Sequence, residues 1–144
     1  MTDDIIENYL LRLLTHKVYT RKQLIEKLLK KGADPEKAEE LLDKYAAYGY
    51  VDDMKYAKLY IDSHQEWGKI RLTAELCHRG IDSLVVMEAL EVMEPDELTR
   101  ADLLVRQWLD CDISKEKILG RLARRGFSFS ICREAWDRAC EHWN

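Results

Sequence analysis

The amino-acid sequence predicts an all-α protein built from three tandem copies of one three-helix unit. Three glycines support this prediction, because Gly32, Gly80 and Gly126 are 48 and 46 residues apart, a period typical of stacked helical repeats. Aliphatic residues stand eight and four residues before each glycine, and a cation directly before it: Leu24, Leu28 and Lys31; Leu72, Leu76 and Arg79; Ile118, Leu122 and Arg125. No segment has the alternating apolar and polar residues typical of a half-buried strand.

The composition is consistent with one helical-repeat protein spanning residues 1–144. Apolar residues make up 47% of the chain, which is enough for a continuous core. Although 35% of the residues are charged, the net charge is only −4, so the total indicates no class of partner. No apolar N-terminal segment has the length of a signal peptide or membrane span, and the cytoplasm is the expected compartment. The cysteines lack close paired spacings and are expected to be free thiols.

The first repeat is expected over about residues 1–48. Apolar residues recur at spacings of three and four from Asp3 to Thr15, which predicts a first helix with one buried face. Thr20 followed by Gln23 is typical of a capping box at the start of a second helix. That helix should end at Gly32, where glycine adopts a left-handed backbone at little cost.

The second repeat is expected over about residues 49–93, and the third over about 94–144. Their first helices are predicted to begin at acidic or proline signals, Asp52-Asp53 and Glu94-Pro95. Each repeat then continues with a basic middle helix and a third helix. The whole chain is therefore predicted to contain nine helices and no sheet.

Each middle helix ends in the same corner. Two residues after the glycine stands a good N-cap residue, which is Asp34, Asp82 or Ser128. Apolar residues flank each cap in the positions of a hydrophobic staple, giving the pairs Ala33/Ala38, Ile81/Val86 and Phe127/Cys132. This shared pattern predicts that the third helix leaves the corner at the same angle in all three repeats.

Basic residues are concentrated in the middle helices, and residues 17–31 and 115–133 each carry a net charge of +5. The candidate residues for binding a partner or DNA are therefore Arg21, Lys22, Lys27, Lys30, Lys31, Lys69, Arg71, Arg79, Lys115, Lys117, Arg121, Arg124 and Arg125. In register, they would form a positive track suited to phosphates or to an acidic protein surface. The alternative interpretation is a set of solvated helix faces whose last cations complement the helix dipole.

The sequence contains no glycine loop for phosphates, no nucleophile elbow and no metalloprotease helix motif. No catalytic residue, cofactor or metal is therefore predicted. The Asp52-Asp53 pair is explained as a helix start, and Cys132 with the Cys140-Glu141-His142 segment matches no closed zinc site. Among the tryptophans, Trp108 and Trp136 lie on apolar stripes and are predicted core residues, whereas Trp67 and Trp143 are candidates for stacking on bases.

More specific motifs occur at fixed distances along the chain: Gly49-Tyr50-Val51-Asp52-Asp53, Tyr56-Ala57, Gly68-Lys69-Ile70-Arg71 with Leu76, Arg79-Gly80-Ile81, and Arg125-Gly126-Phe127 with Trp136. With these motifs the sequence resembles, over nearly its whole length, the RecX family of regulators of the RecA recombinase. It departs from the family pattern in having Lys69 after Gly68, where a proline is expected, and in its negative net charge.

The resemblance implies an elongated, curved array of three tandem three-helix repeats. It also implies a non-enzymatic cytoplasmic protein of DNA recombination, DNA repair and the SOS response, with RecA and the RecA–DNA filament as partners. The implied effect is to limit filament growth and to lower ATP hydrolysis and strand exchange. Direct contact with single- or double-stranded DNA is a further expectation, and no cofactor or membrane is implied. The alternative function is a nucleic-acid-binding helical module independent of RecA, whose affinity for bare DNA falls steeply with salt.

Overall fold

A computed structural model describes residues 2–143 of the chain, the last two of them without their side chains. Within this range the chain forms nine α-helices and no strand, which confirms the predicted all-α fold. The helices are α1 (Asp3–His16), α2 (Arg21–Lys30), α3 (Pro35–Ala47), α4 (Asp53–Ser63), α5 (Lys69–His78), α6 (Ser83–Met93), α7 (Glu97–Asp110), α8 (Lys115–Arg124) and α9 (Phe129–Trp143).

The helices are distributed over two compact units. Unit 1 contains the residues up to Leu59 together with Leu76–Ala89, and unit 2 contains Tyr60–Glu75 together with the residues from Leu90 onward. Helices α4, α5 and α6 therefore each contribute residues to both units. The repeat boundaries near residues 48 and 93 stay predictions.

The core of unit 1 lies between α1, α2 and α3, where α2 packs against both neighbours. Leu24 and Leu28, which stand eight and four residues before Gly32, are fully buried there. The core residues are Ile6, Leu10, Leu24, Leu28, Ala38, Leu42, Tyr45 and Val51. The apolar stripes of three amphipathic helices thus converge on one cluster, as their spacing predicts.

The core of unit 2 lies between α7, α8 and α9. It contains Ala101, Val105, Trp108, Ile118, Leu122, Phe127, Cys132, Ala135 and Ala139, with Trp136 packed against it. The assignment of Trp108 and Trp136 to the core is therefore confirmed. Cys132 is 4% exposed, its thiol donates to the carbonyl of Phe127 at 3.6 Å, and its burial raises the pKa of the thiol. All four cysteines are free thiols, and Cys77 and Cys111 are exposed.

The three corners have the predicted geometry. Gly32, Gly80 and Gly126 adopt left-handed φ angles of 106°, 92° and 89°. The residue after each glycine donates its backbone N–H to the carbonyl of the leucine five residues earlier: Ala33 to Leu28 at 3.0 Å, Ile81 to Leu76 at 3.2 Å, and Phe127 to Leu122 at 3.1 Å. This bond is the Schellman arrangement. The predicted caps Asp34, Asp82 and Ser128 accept backbone N–H groups of the helix that follows, and the capping box of Thr20 and Gln23 is present.

Candidate functional site

In unit 1, the basic helix α2 begins against the C-terminal end of α5. The hydroxyl of Thr20, the N-cap of α2, donates to the carbonyl of Arg79 at 2.8 Å, and Thr20 is fully buried. The aliphatic part of Lys22 lies so close to Gly80 that a β-carbon on this glycine would collide with it. Gly80 therefore both ends α5 and leaves room for the first turn of α2.

In unit 2, the basic helix α5 begins in the same way against the C-terminal end of α8. The backbone N–H of Gly68 donates to the carbonyl of Arg125 at 2.8 Å, and that of Ile70 donates to the carbonyl of Gly126 at 3.1 Å. A β-carbon on Gly126 would collide with the backbone of Arg71. The motif residues at Gly68 and Gly126 are thus in direct contact across this junction.

At each junction a carboxylate accepts a backbone N–H from the first residue of the basic helix. Asp53, the first residue of α4, accepts the backbone N–H of Arg21 at 2.9 Å, and Glu97, the first residue of α7, accepts that of Lys69 at 3.1 Å. An anionic acceptor at a helix N-terminus satisfies an unpaired N–H and complements the dipole. The sequence explained Asp53 only as a helix start, and the structure adds this second role. A proline in place of Lys69 would lack the N–H that Glu97 accepts.

Arg21 and Lys69, two of the candidate cations, have ion pairs within their own unit. The Arg21 guanidinium lies 2.7 Å from a Glu39 carboxylate oxygen and 2.6 Å from one of Asp43, and these hydrogen bonds raise the pKa of Arg21. The Lys69 ammonium lies 4.0 Å from Glu97. Arg21, which has two short ion pairs, is therefore a weaker candidate than its neighbours for contact with an external anion.

The remaining candidates of α2 form a basic surface on unit 1. Lys27 and Lys30 line a groove of about 380 Å³, which we call the lysine groove. Its other lining residues are Lys17 and Tyr19, which precede α2, and Gln23 and Glu26. The ammonium groups of Lys17 and Lys27 lie 5.0 and 5.3 Å from the centre of the Tyr19 ring. Lys31 lies 5.1 Å from the ring of Tyr9, whereas Lys22 and Arg79 line a neighbouring groove of about 390 Å³.

Four candidates meet in unit 2. Arg71 of α5 and Arg121, Arg124 and Arg125 at the end of α8 line a groove of about 540 Å³ together with Glu66 and Trp67, and we call it the arginine pocket. Lys115 and Lys117, at the start of α8, do not line it. The ammonium of Lys115 lies 5.5 Å from the ring of Trp136, and Lys117 is exposed.

Aromatic rings hold three of these arginines in place. The guanidinium carbon of Arg71 lies 4.1 Å from the centre of the Trp67 ring, and Arg121 and Arg125 lie 5.4 and 5.2 Å from that of Trp108. A cation over an aromatic face is attracted to it but keeps its charge. Within the described part of the chain, neither these last two arginines nor Arg124 has an ion pair, and Arg71 has one at 3.9 Å with Glu75. The charges of Arg121, Arg124 and Arg125 are therefore available to a ligand, whereas Arg71 shares its charge with Glu75.

The ring of Trp67 is engaged within unit 2. It stacks on His64 with ring centres 4.5 Å apart, and His64 stacks on Tyr60 at 3.9 Å. Because the ring also carries Arg71, its aromatic surface is used internally, which argues against the interpretation of Trp67 as a base-stacking residue. The other candidate for stacking, the side chain of Trp143, lies outside the described residues.

A buried cation, Arg100 of α7, was not predicted from the sequence. This residue is 8% exposed, and its guanidinium donates to the carbonyls of Ile61, His64 and Trp67 at 3.3, 3.3 and 3.2 Å. Burial lowers the pKa of the guanidinium. Arg100 thus caps the C-terminal end of α4, because its guanidinium supplies donors to carbonyls in and just after the last turn of that helix. One signal was available, because Arg100 is the only cation between Asp82 and Asp102.

In residues 2–143, no group of three or more described His, Cys, Asp or Glu side chains is arranged to hold a metal ion. No helix in this range combines the length and the apolar character needed to cross a membrane. His142 belongs to the C-terminal segment that matches no closed zinc site in the sequence, and its side chain lies outside the described residues.

Comparison with known proteins gives a consistent result. The family model described as RecX, first three-helix domain, matches residues 8–44. The regulatory protein RecX of Mycobacterium leprae is 37% identical over 134 residues, which cover 85% of this chain and 78% of that protein. The regulatory protein RecX of Halorhodospira halophila is 33% identical, with 96% and 90% covered. The crystal structure of RecX from Lactobacillus salivarius has the same fold, with a TM-score of 0.79, 21% identity, and 96% and 97% covered.

Proposed function

The chain belongs to the RecX family of regulatory proteins, and from this membership we propose that it binds RecA and the RecA–DNA filament in the cytoplasm. Bound there, it limits filament growth and lowers ATP hydrolysis and strand exchange, without catalysing a reaction of its own. The proposal takes its partner from the family resemblance. The arrangement of charge in each unit supports it.

The observation that supports the proposal most is that family motifs build the two junctions beneath the basic surfaces. Gly68 and Gly126 join α5 to α8 in unit 2, and Gly80 makes room for α2 in unit 1. In each unit the cations outnumber the carboxylates in a groove that the basic helices line, the lysine groove in unit 1 and the arginine pocket in unit 2. A RecA–DNA filament offers both acidic side chains and phosphates, and basic surfaces of this kind attract both.

Binding alone can produce the proposed inhibition. A regulator shifts an equilibrium between two states of its partner by the difference between its affinities for them. Suppose that the filament has one state that hydrolyses ATP slowly and one that hydrolyses it fast. A protein that binds the slow state more tightly lowers the ATPase rate without any catalytic group of its own. The candidate cations would supply this affinity as charge-assisted contacts, which long-range electrostatic attraction also makes fast to form.

We expect the protein, at micromolar concentration, to sediment with RecA filaments on single-stranded DNA and to lower their ATPase rate. Replacing Lys27 and Lys30 together by glutamate should weaken this association by about ten-fold or more, because two attractive contacts become repulsive. Sedimentation and a coupled ATPase assay measure the two effects. The ATPase inhibition should weaken in parallel with the association.

The matched control is the pair Lys55 and Lys58 on α4, which has the same spacing and belongs to the same unit but lies outside the basic middle helices. Reversing this pair changes the net charge equally and should leave the RecA assays nearly unchanged. An unaltered RecA ATPase rate, combined with no association of the unmodified chain at micromolar concentration, would exclude the proposed function.

A further inference from the structure

We propose that the arginine pocket of unit 2 is a phosphate-binding site whose ligand is the sugar–phosphate backbone of a nucleic acid strand, bound without regard to base sequence. This inference rests on the proposed function and deepens it, because it names what one of the basic surfaces contacts. It concerns the pocket lined by Arg71, Arg121, Arg124 and Arg125.

The charge of the pocket favours an anion with several negative charges close together. Four guanidinium groups line it, against one lining carboxylate, that of Glu66, and Arg71 also has an ion pair at 3.9 Å with Glu75. A guanidinium presents a planar fork of N–H donors that matches the oxygens of a phosphate. A nucleic acid strand carries one phosphate about every 3.4 Å along its axis. Neighbouring phosphates of one strand therefore suit a cluster of arginines that comes from two helices.

The arginines are held in place before any ligand arrives. Arg121 and Arg125 lie over Trp108, which is 7% exposed and belongs to the core, and Arg71 lies over Trp67. A long side chain that is already restrained loses less conformational freedom when it binds. The rings restrain the guanidinium groups without neutralising them, which is what an anion site needs.

The side chains, and not the backbone, dominate the field in this pocket. The pocket lies beside the junction where the C-terminal end of α8 meets the first turn of α5, and the carbonyls of Arg125 and Gly126 accept the N–H groups of Gly68 and Ile70. The partial charges at the two helix ends have opposite signs and largely offset each other. The net positive charge of the pocket therefore comes from its arginines.

The aromatic residues of the pocket give no means of recognising bases. Trp67 uses its ring for contacts with His64 and Arg71, and Trp108 is buried under two arginines. Stacking on an accessible aromatic face is the usual way to hold an unpaired base. Contacts with phosphates alone carry no direct information about sequence. We therefore expect equal affinity for oligonucleotides of different base composition.

The test measures binding of the full chain to a mixed-sequence single-stranded oligonucleotide by calorimetry, at several salt concentrations and without RecA. The variant replaces Arg71 and Arg124 by glutamine, because neither side chain stacks on Trp108 of the core. Its affinity should fall about ten-fold or more. The magnitude of the slope of log K against log salt concentration should decrease by about 1.4. Two phosphate contacts are lost, and each contributes about 0.7 to the slope for a single strand.

The control variant replaces Arg133 and Arg138, two exposed arginines of α9 in the same unit, by glutamine and changes the net charge equally. It should keep both affinity and salt slope. Replacing Arg71 and Arg124 by lysine keeps the charge but not the fork, so the salt slope should persist while affinity falls. Thermal unfolding of each variant, with and without oligonucleotide, separates lost binding from lost folding: the ligand should raise the melting temperature of the unmodified chain but not of the glutamine variant.

Three results would overturn the inference. They are equal losses in the glutamine variant and its α9 control, an unchanged affinity in the glutamine variant, and equal binding of polyglutamate of the same length, which would assign the pocket to acidic polypeptides. RecA assays with the same variants separate this inference from the proposed function. If RecA is still inhibited while the oligonucleotide result fails, only the phosphate site is lost. If the oligonucleotide result holds and RecA is unaffected, only the proposed function is lost.

Discussion

Replacing Gly126 by alanine should destabilise unit 2 by about 4 kcal/mol or more. Part of this cost, about 1–2 kcal/mol, arises because the residue has φ of 89°, which an L side chain tolerates poorly. The larger part arises because the new β-carbon would collide with the backbone of Arg71 and push α5 away from α8. The N–H groups of Gly68 and Ile70 would then lose their carbonyl partners, at about 1–3 kcal/mol for each group left buried and unpaired.

Gly32 provides the matched control for this substitution. It ends α2 in the same type of corner with φ of 106°, but no atom lies within 4 Å of the position of its β-carbon. Gly32→Ala should therefore cost only the backbone term, about 1–2 kcal/mol. Urea unfolding followed by circular dichroism compares the two variants. If Gly126→Ala is no more costly than Gly32→Ala, the close approach of α5 to α8 does not contribute to stability.

Replacing Arg100 by methionine should also be strongly destabilising, by about 3 kcal/mol or more. The substitution removes the common donor of three carbonyls, those of Ile61, His64 and Trp67. Hydrogen bonds from a charged donor contribute about 1.5–3 kcal/mol each, and a buried acceptor left without a partner is costly. Methionine is apolar and matches the arginine side chain only as far as Nε, so the loss combines the missing donors with the space that the guanidinium group leaves.

The control for Arg100 is Arg133→Met on α9, an exposed position in the same unit, where about 0.5 kcal/mol or less is expected. Arg100→Lys should recover little of the lost stability, because one ammonium cannot reproduce the planar fork of a guanidinium. Melting temperatures of the three variants test this order. If Arg100→Met lowers the melting temperature no more than Arg133→Met does, the hydrogen bonds of Arg100 at the end of α4 do not contribute to stability.

The corners could be predicted from the sequence because all their determinants are local. Leu122, Gly126 and Ser128 lie within seven residues, and the position of each follows from the geometry of a single helix end. The same holds for the capping box of Thr20 and Gln23. Helical periodicity and cap chemistry act over one or two turns, so a single sequence is enough to identify them.

The junctions could not be predicted in the same way. The hydroxyl of Thr20 donates to Arg79, 59 residues away, and Gly68 meets Arg125 at a similar separation. No local pattern specifies which carbonyl accepts a helix's first N–H groups. The family motifs marked Gly68 and Gly126 as special but gave no reason, and the collision of a β-carbon at Gly126 with Arg71 supplies one.

The candidate site was predictable in composition but not in arrangement. Counting charges placed the cations on the middle helices, yet it treated Arg21 and Arg124 alike. The structure pairs Arg21 with Glu39 and Asp43 of α3, whereas Arg124 lines the arginine pocket. That difference depends on which side chains of other helices lie within reach, and this is set by tertiary packing.

The burial of Cys132 makes it a chemical reporter of transient opening in the core of unit 2. A thiol reacts as its thiolate, and the pKa of this one is raised by the same burial that blocks reagents. Alkylation of Cys132 must therefore wait until α9 separates from α7, and its rate measures how often that local opening occurs. Cys77 and Cys111, which are exposed, should react at once and calibrate the reagent in the same sample.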